Sequence, residues 1–299
     1  MPAGFYEPKP ANDAPKRLFL YGPPKTVKTP LALALGAYLR SINPKSKTLY
    51  IAADRASEDL PSIPDRNWLA ANGGFITVWK PGSLLEEGYN PYQDAFQIAM
   101  TDWKKNDPDI ELIVYDTFTT DIERILQYCA DSEFFANQKG ESKHVTFGDP
   151  TLRKGHPGRL NIPVMGDYMG TGAIAKRLTD LMGAQNCHVI LIAHEESFED
   201  AKGISRIGPA FVGKALTGKL PGYLTGILYT EKTPSTDKTT GKLVPALHVC
   251  SDPGDDAHIA GVRHGTVQGR PVNPIGRVKV GDDLTSYWKL FFTTLFPAS

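Results

Sequence analysis

An excess of charge of either sign is what this sequence most plainly lacks. Its 299 residues carry 33 lysines and arginines against 33 aspartates and glutamates, a formal net charge of zero. A chain balanced in this way is not a basic coat for nucleic acid. Any contact with phosphates must come from local segregation of charge. Cysteine is scarce as well, and Cys129, Cys187 and Cys250 stand far apart. An odd, widely spaced set builds neither a disulfide framework nor a zinc site, so a reducing, cytoplasmic setting is expected. No apolar run approaches the roughly 20 residues of a membrane-spanning helix, and no membrane partner is expected. Met1 to Lys16 holds four prolines and no apolar stretch of the signal-peptide kind, and reads as an extended N-terminal arm. No repeat and no strong linker interrupts residues 17–299, which read as one domain with long loops at 131–163 and 195–222.

Short apolar runs alternate with helical patterns along that domain. Arg17 to Tyr21 reads as a buried strand closed by the turn Gly22-Pro23-Pro24. Leu31 to Leu39 reads as a helix, with Pro30 tolerated in a first turn whose amides have no intrahelical partner. Further strands are expected at Thr48–Ala53, Phe75–Trp79, Glu111–Tyr115 and Cys187–Ala193, with helices at Pro91–Lys105, Ile122–Ala130 and Ala173–Ala184. Near-continuous apolar strands are buried on both faces, which means a largely parallel sheet covered by helices, an α/β fold. Tyr223–Thr230 and Leu243–Cys250 read as strands joined by a polar turn, an antiparallel C-terminal extension, and Leu284–Phe296 reads as a last helix. Ligands of such sheets bind beyond the carboxyl ends of the strands, where Gly22, Asp54, Asp116 and His194 would gather.

The chemistry is concentrated in one loop. Gly22, Pro23, Pro24, Lys25, Thr26, Val27, Lys28 and Thr29 follow the phosphate-loop pattern at every fixed place but one, with Pro30 closing the cradle. Amides of such a loop and of the helix behind it point at phosphate oxygens. Lys28 would set its ammonium on the outer phosphates, and the Thr29 hydroxyl would ligate magnesium. The departure is Val27, where the pattern has glycine. A β-branched residue adds bulk and stiffness where backbone and phosphate approach, so weakened affinity or turnover is expected. Glu111 to Thr117 then reads as an apolar strand that presents one carboxylate, Asp116, at its tip. That carboxylate suits a magnesium ion held through water.

These segments, with Ile190 to Glu195 and the later Gly208-Pro209, Gly213 to Leu216 and Leu220-Pro221, resemble the RecA-like P-loop ATPases. The closer likeness is to the phage-type AAA-domain proteins among them, which serve as recombination or replication ATPases. The resemblance covers residues 17–263 and implies ATP and Mg2+ as ligands. It implies a water-orienting carboxylate just after the second strand, where Asp54 stands with Glu58 as the second candidate. It also implies a γ-phosphate sensor at the last core strand, where His194 stands. Asp54 and His194 suit plain strand-end positions equally. Single-stranded DNA and self-assembly as a ring or filament are the partners that the resemblance implies.

Charge is segregated as such a partner requires. Thr151–Gly166 (Arg153, Lys154, His156, Arg159), Ala201–Thr230 (with Lys214 and Lys219) and Gly261–Gly281 (with Arg263) are basic and hold no carboxylate. Lys214, Lys219 or Arg263 could instead reach a neighbouring subunit's nucleotide. Two other classes fit parts of the pattern. One is a degenerate P-loop module that binds or anneals DNA without turnover. The other is a small-molecule P-loop kinase with Arg153 to Arg159 as its lid.

Overall fold

The computed structural model describes residues 14–53, 76–79, 89–133, 144–149, 151, 158–199, 203–211, 224–236, 241–251, 258–262, 266–267, 270–271, 276–281 and 283–296. The expected strands appear as β1 (Arg17–Tyr21), β2 (Lys47–Ala52), β3 (Ile76–Trp79), β4 (Ile110–Asp116) and β7 (His188–Ala193). With β10 (Gly226–Thr236), β11 (Leu243–Cys250) and β15 (Arg277–Val280) they form one sheet, in the order β15-β11-β10-β1-β7-β4-β2-β3, to which β12 (Gly261–Val262) adds by pairing with the start of β10, while β13 (Thr266–Val267) and β14 (Arg270–Pro271) pair with each other. Every pairing from β10 to β3 is parallel, whereas β11 and β15 add on antiparallel. The sheet is therefore mostly parallel with an antiparallel C-terminal extension. The glycine-loop strand β1 is central, and one strand, β7, separates it from β4. This is the largely parallel α/β arrangement expected from the sequence.

Alternation explains the layers. Leu18, Leu20, Val114, Ile190 and Ile192 point to one face, where α1 (Lys28–Ile42) and α6 (Leu284–Leu295) cover them with Leu31, Leu35, Trp288, Phe291 and Leu295. Phe19, Tyr21, Ile113, Tyr115, Val189 and Leu191 point to the other. There they meet α2 (Pro91–Met100), α4 (Phe118–Asp131) and α5 (Met165–Gly183). Strands buried on both faces need both alternating sets apolar, and the sequence supplies both.

Several boundaries differ from the sequence pattern for local reasons. The helix expected over Pro91–Lys105 is two: α2 stops at Met100, and Asp102 starts α3 (Trp103–Asn106) by accepting the Lys105 amide at 3.1 Å. α4 begins four residues earlier than its apolar spacing suggested, capped by Thr117. α5 begins at Met165 rather than Ala173, where Asp167 reaches back to the Val164 amide at 2.8 Å. The arm does not extend to residue 16. Lys16 is buried, its carbonyl accepts the Val189 amide at 2.9 Å, and its ammonium lies 3.8 Å from the centre of the Phe296 ring. Residues 1–13 lie outside the described residues.

Both long loops contain hairpins. The stretch 131–163 holds β5 (Thr146–Gly148) and β6 (Arg159–Asn161), and the stretch 195–222 holds β8 (Glu195–Glu199) and β9 (Ser205–Pro209). The first is inverted relative to an ordinary hairpin. Its inner side is polar: Asn161 is buried, takes the Thr146 hydroxyl at 2.7 Å and donates to Ala130 O at 2.9 Å. Its outer side carries Val145, Phe147, Leu160 and Ile162, all between 45% and 58% exposed, with exposed Met165, Tyr168 and Met169 beside it on α5. Three-residue strands hold few apolar anchors, so buried hydrogen bonds rather than a hydrophobic face fix this hairpin, and periodicity does not reveal it.

α6 closes the fold through Trp288, which is fully buried and donates Nε1–H to Leu31 O at 2.7 Å. Trp288→Ala is expected to cost about 3–5 kcal/mol. Trp288→Phe, which loses the donor and part of the ring, should cost about 1–3 kcal/mol. Urea unfolding followed by circular dichroism measures both.

Candidate phosphate-binding site

β1 delivers the loop. Gly22 follows its last residue with φ 148°, and a Cβ there would lie 2.2 Å from Thr230 O on β10, so the position admits no side chain. Thr26 is turned inward. Its Oγ1 lies 2.7 Å from Pro23 O and 2.8 Å from Thr230 Oγ1, and Thr230 Oγ1 lies 3.1 Å from Tyr21 O. The loop is thus pinned to its own strand and to β10. Lys25 and Val27 have positive φ, 62° and 55°. Val27 therefore adopts the left-handed backbone that glycine would supply, at a strain of roughly 1–2 kcal/mol. The geometry of the loop survives the departure from the pattern, and what remains of it is the bulk of the side chain.

Val27 is also the N-cap of α1, and no side chain caps that helix. The first intrahelical bond runs from the Leu31 amide to Val27 O at 3.0 Å. The positive end of α1 is left to whatever the loop encloses. Pro30 falls in the first turn, as its missing amide allows. Lys28 turns back into the loop and donates to Gly22 O at 2.8 Å and Pro23 O at 2.7 Å. Burial lowers its pKa from 10.5 to about 8, against the charges of Asp116 and Glu195, which raise it. An ammonium stripped of water and set beside an uncapped helix end is a receptor for anionic oxygen.

β4 delivers the carboxylate. Asp116 is buried, and its Oδ2 accepts both the Thr29 hydroxyl and the Tyr50 hydroxyl, the latter at 2.8 Å. The Asp116–Thr117 peptide is cis. β7 delivers His194 and Glu195. The His194 amide donates to Thr119 Oγ1 at 3.2 Å, and its carbonyl accepts the Ala210 amide at 2.7 Å, which fixes the start of the β8–β9 hairpin. Glu195 is the second carboxylate whose charge acts on Lys28, and it acts on the Tyr229 hydroxyl of β10 as well.

The structure therefore brings Gly22, Lys28, Thr29, Asp116 and the backbone of His194 to one edge of the sheet. Asp54, Glu58, Arg153, Lys154, Lys214, Lys219 and Arg263 lie outside the described residues. Sequence reasoning missed Tyr50, Glu195, Tyr229 and Thr230. Glu195 ends the segment Ile190 to Glu195 that carries the resemblance, in which only His194 is given a role. Tyr229 and Thr230 reach the loop only through the pairing of β10 with β1, some 200 positions away, for which one sequence holds no signal. β8 also carries the exposed glutamates Glu196 and Glu199, so the basic stretch that begins at Ala201 is faced by an acidic strand.

A magnesium ion fits the donor set. The Thr29 hydroxyl and the Asp116 carboxylate meet each other at the lysine end of the loop, a hard-oxygen pair of the type Mg2+ takes alongside phosphate and water.

No family model matches the chain, and no curated protein matches it. Solved structures do. The KaiC-like protein PH0186 from the hyperthermophilic archaeon Pyrococcus horikoshii OT3 is 11% identical over 89% of this chain and 89% of its own, with a TM-score of 0.38. The flagellar accessory protein FlaH from Methanocaldococcus jannaschii is 12% identical over 90% of this chain and 91% of its own, with a TM-score of 0.41. The fold assignment rests on the strand order and the loop geometry described above. Among the described residues no helix is long and apolar enough to cross a membrane.

Two predictions follow the loop. Val27→Gly removes left-handed strain but adds unfolded-state entropy, so stability should stay within about 1 kcal/mol of the parent in urea unfolding. Nucleotide affinity, read by fluorescence titration, should rise with the bulk gone. The second concerns pH. Lys28 releases its proton near pH 8 when folded and near its ordinary 10.5 when unfolded. Between those values the unfolded chain binds more protons, so Lys28 penalises folding fully below pH 8, and the penalty fades as pH rises towards 10.5. Phosphate needs the charged form. Nucleotide affinity should be level below pH 8 and fall about tenfold per pH unit well above it, and Lys28→Arg, which stays charged, should flatten that slope.

Proposed function

We propose that this protein binds ATP with Mg2+ in the loop Gly22–Pro30, hydrolyses it, and acts on single-stranded DNA in recombination or replication of the phage type. The observation that supports this reading is the loop itself. It keeps the backbone of a phosphate cradle at Val27, aims the buried Lys28 ammonium inward and sets Thr29 against Asp116. In this reading Lys28 holds the outer phosphates and Thr29 and Asp116 hold the metal, which neutralises phosphate charge when bound. His194 stands at the tip of β7 as the candidate phosphate sensor.

Retention of the left-handed backbone favours a loop that still holds phosphate over one that has lost it, because a loop with no phosphate to hold has no reason to bear that strain. Single-stranded DNA is favoured by the β5–β6 hairpin. Phe147 and Tyr168 are exposed, and the sequence between the two strands holds Arg153, Lys154 and His156 against one carboxylate, Asp149. Exposed rings next to basic residues are what sequence-tolerant single-strand binding uses, stacking with phosphate contact. The resemblance adds assembly as a ring or filament, with Lys214, Lys219 or Arg263 available to DNA or to a neighbour's nucleotide.

The test is steady-state ATP hydrolysis by the purified protein with and without an oligo-dT strand, beside Lys28→Ala. Turnover that the strand stimulates and Lys28→Ala abolishes is the expected result. Substituting Phe147 and Tyr168 together by alanine should weaken strand binding at least tenfold without changing ATP affinity. Hydrolysis that only a small-molecule acceptor stimulates would point to a kinase instead.

A further inference from the structure

Glu195 is unlike the other carboxylates of the sheet edge. Asp116 spends one oxygen on two hydroxyls, from Thr29 and Tyr50. Glu195 lies close to the Tyr229 hydroxyl, yet its Oε2 is closed to bulk solvent and meets no hydrogen-bond donor among the described residues. A carboxylate oxygen in that condition is costly, roughly 1–3 kcal/mol or more, and a folded protein retains one where a further group is meant to meet it. Its charge acts on Lys28, so it belongs to the same site as the phosphate-holding ammonium.

The tyrosine that holds Glu195 is itself held. Tyr229 is buried, with its ring between Tyr21, 5.0 Å away centre to centre, and His258, 4.3 Å away. Its Cα lies opposite Tyr21 across the parallel β1–β10 pairing, and the Tyr21 hydroxyl is fixed in turn to Ile207 O at 3.2 Å. Thr230, the next residue, pins the phosphate loop through Thr26. A single strand therefore positions both the cradle and the group that orients Glu195, and the backbone of Glu195 is fixed opposite Pro209 in the β8–β9 pairing. Rigid support of this kind is what a reacting group needs to stay in line.

From this arrangement we infer that Glu195, oriented by Tyr229, is the carboxylate that polarises the attacking water in ATP hydrolysis. This inference rests on the ATP-binding reading above. It reassigns to the tip of β7 the role that the resemblance gave to Asp54 or Glu58. In the step, the water oxygen forms a bond to the γ-phosphorus and the bond from that phosphorus to the β–γ bridging oxygen breaks. ADP departs with that electron pair, and the proton of the water passes to Glu195 Oε2 and from there to solvent. Tyr229 is a positioning residue: in this reading its hydroxyl steadies the carboxylate and leaves Oε2 for the water.

The experiment compares wild type with Glu195→Gln, Glu195→Asp, Tyr229→Phe, Asp54→Asn and Glu58→Gln. It measures kcat, KM, the dissociation constant of a fluorescent ATP analogue, the melting temperature, and the share of bound nucleotide still present as ATP after a single-turnover incubation. Glu195→Gln should lower kcat about 10²–10³-fold, bind the analogue as tightly as wild type and retain its nucleotide as ATP. Glu195→Asp should recover part of the rate. Tyr229→Phe should lower kcat about tenfold at unchanged KM and melting temperature, a split that a merely structural role would not give. Glu195→Gln turning over within twofold of wild type overturns the inference, as does a stall confined to Asp54→Asn or Glu58→Gln. Wild type that binds ATP without hydrolysing it also overturns the inference and leaves the binding reading standing. Wild type that binds no ATP overturns both.

Discussion

Parallel pairing of β1 with β7 on one side and β10 on the other sets the height at which every group of the phosphate site stands. Register places Tyr21 level with Ala193 and Tyr229, so β1 and β7 end together beside Tyr229, while β10 runs on to Thr236 along β11. The next residues of β1 and β10, Gly22 and Thr230, then meet without any long side chain reaching for another, and His194 follows the end of β7 at the same edge. Gly22 is bare because Thr230 O occupies the space of its Cβ. Backbone hydrogen bonds of the central sheet are the most shielded in the molecule, so they transmit this register to the loop with little play. The loop needs no buttress of its own beyond Thr26.

The same constraint accounts for how much could be read in advance. β1, β2, β4 and β7 announced themselves because strands buried on both faces are continuous apolar runs, and the polar residue at each end marks the binding edge. The glycine loop was legible for a related reason, since Gly22, Lys28 and Thr29 act through fixed local spacing. What stayed hidden depends on distance along the chain. Tyr50 bonds Asp116 from 66 positions away, and Thr230 lies 209 positions from Tyr21. The two hairpins stayed hidden because β5–β6 is fixed by polar contacts through Asn161, and because β8–β9 follows a strand tip that already looked like an ending.

Val27 shows the two kinds of information in conflict. Read along the chain, a β-branched residue in a glycine position signals decay of the motif. Within the fold, the residue bends to the left-handed conformation that the loop demands, because the loop is clamped at Gly22, Thr26 and the first turn of α1. Tertiary context has overridden local preference, and the strain is a marker of how firmly the loop is held. The buried Lys28 ammonium belongs to the same economy of the site: electrostatics unfavourable to the empty fold are favourable to an anion.

Lys16 over Phe296 joins the residue before the first strand to the residue after the last helix, and β1 itself waits for partners at 188–193 and 226–236. The centre of this sheet is thus assembled from pieces that emerge from the ribosome far apart in time. β1 is made first, yet its second neighbour appears only after some two hundred further residues have been added. Until then its apolar edge must be shielded by something other than its final neighbours. High contact order at the middle of the sheet makes for slow folding and a long-lived exposed strand edge, so this chain should depend on chaperones more than a domain of equal size whose first strands pair with one another.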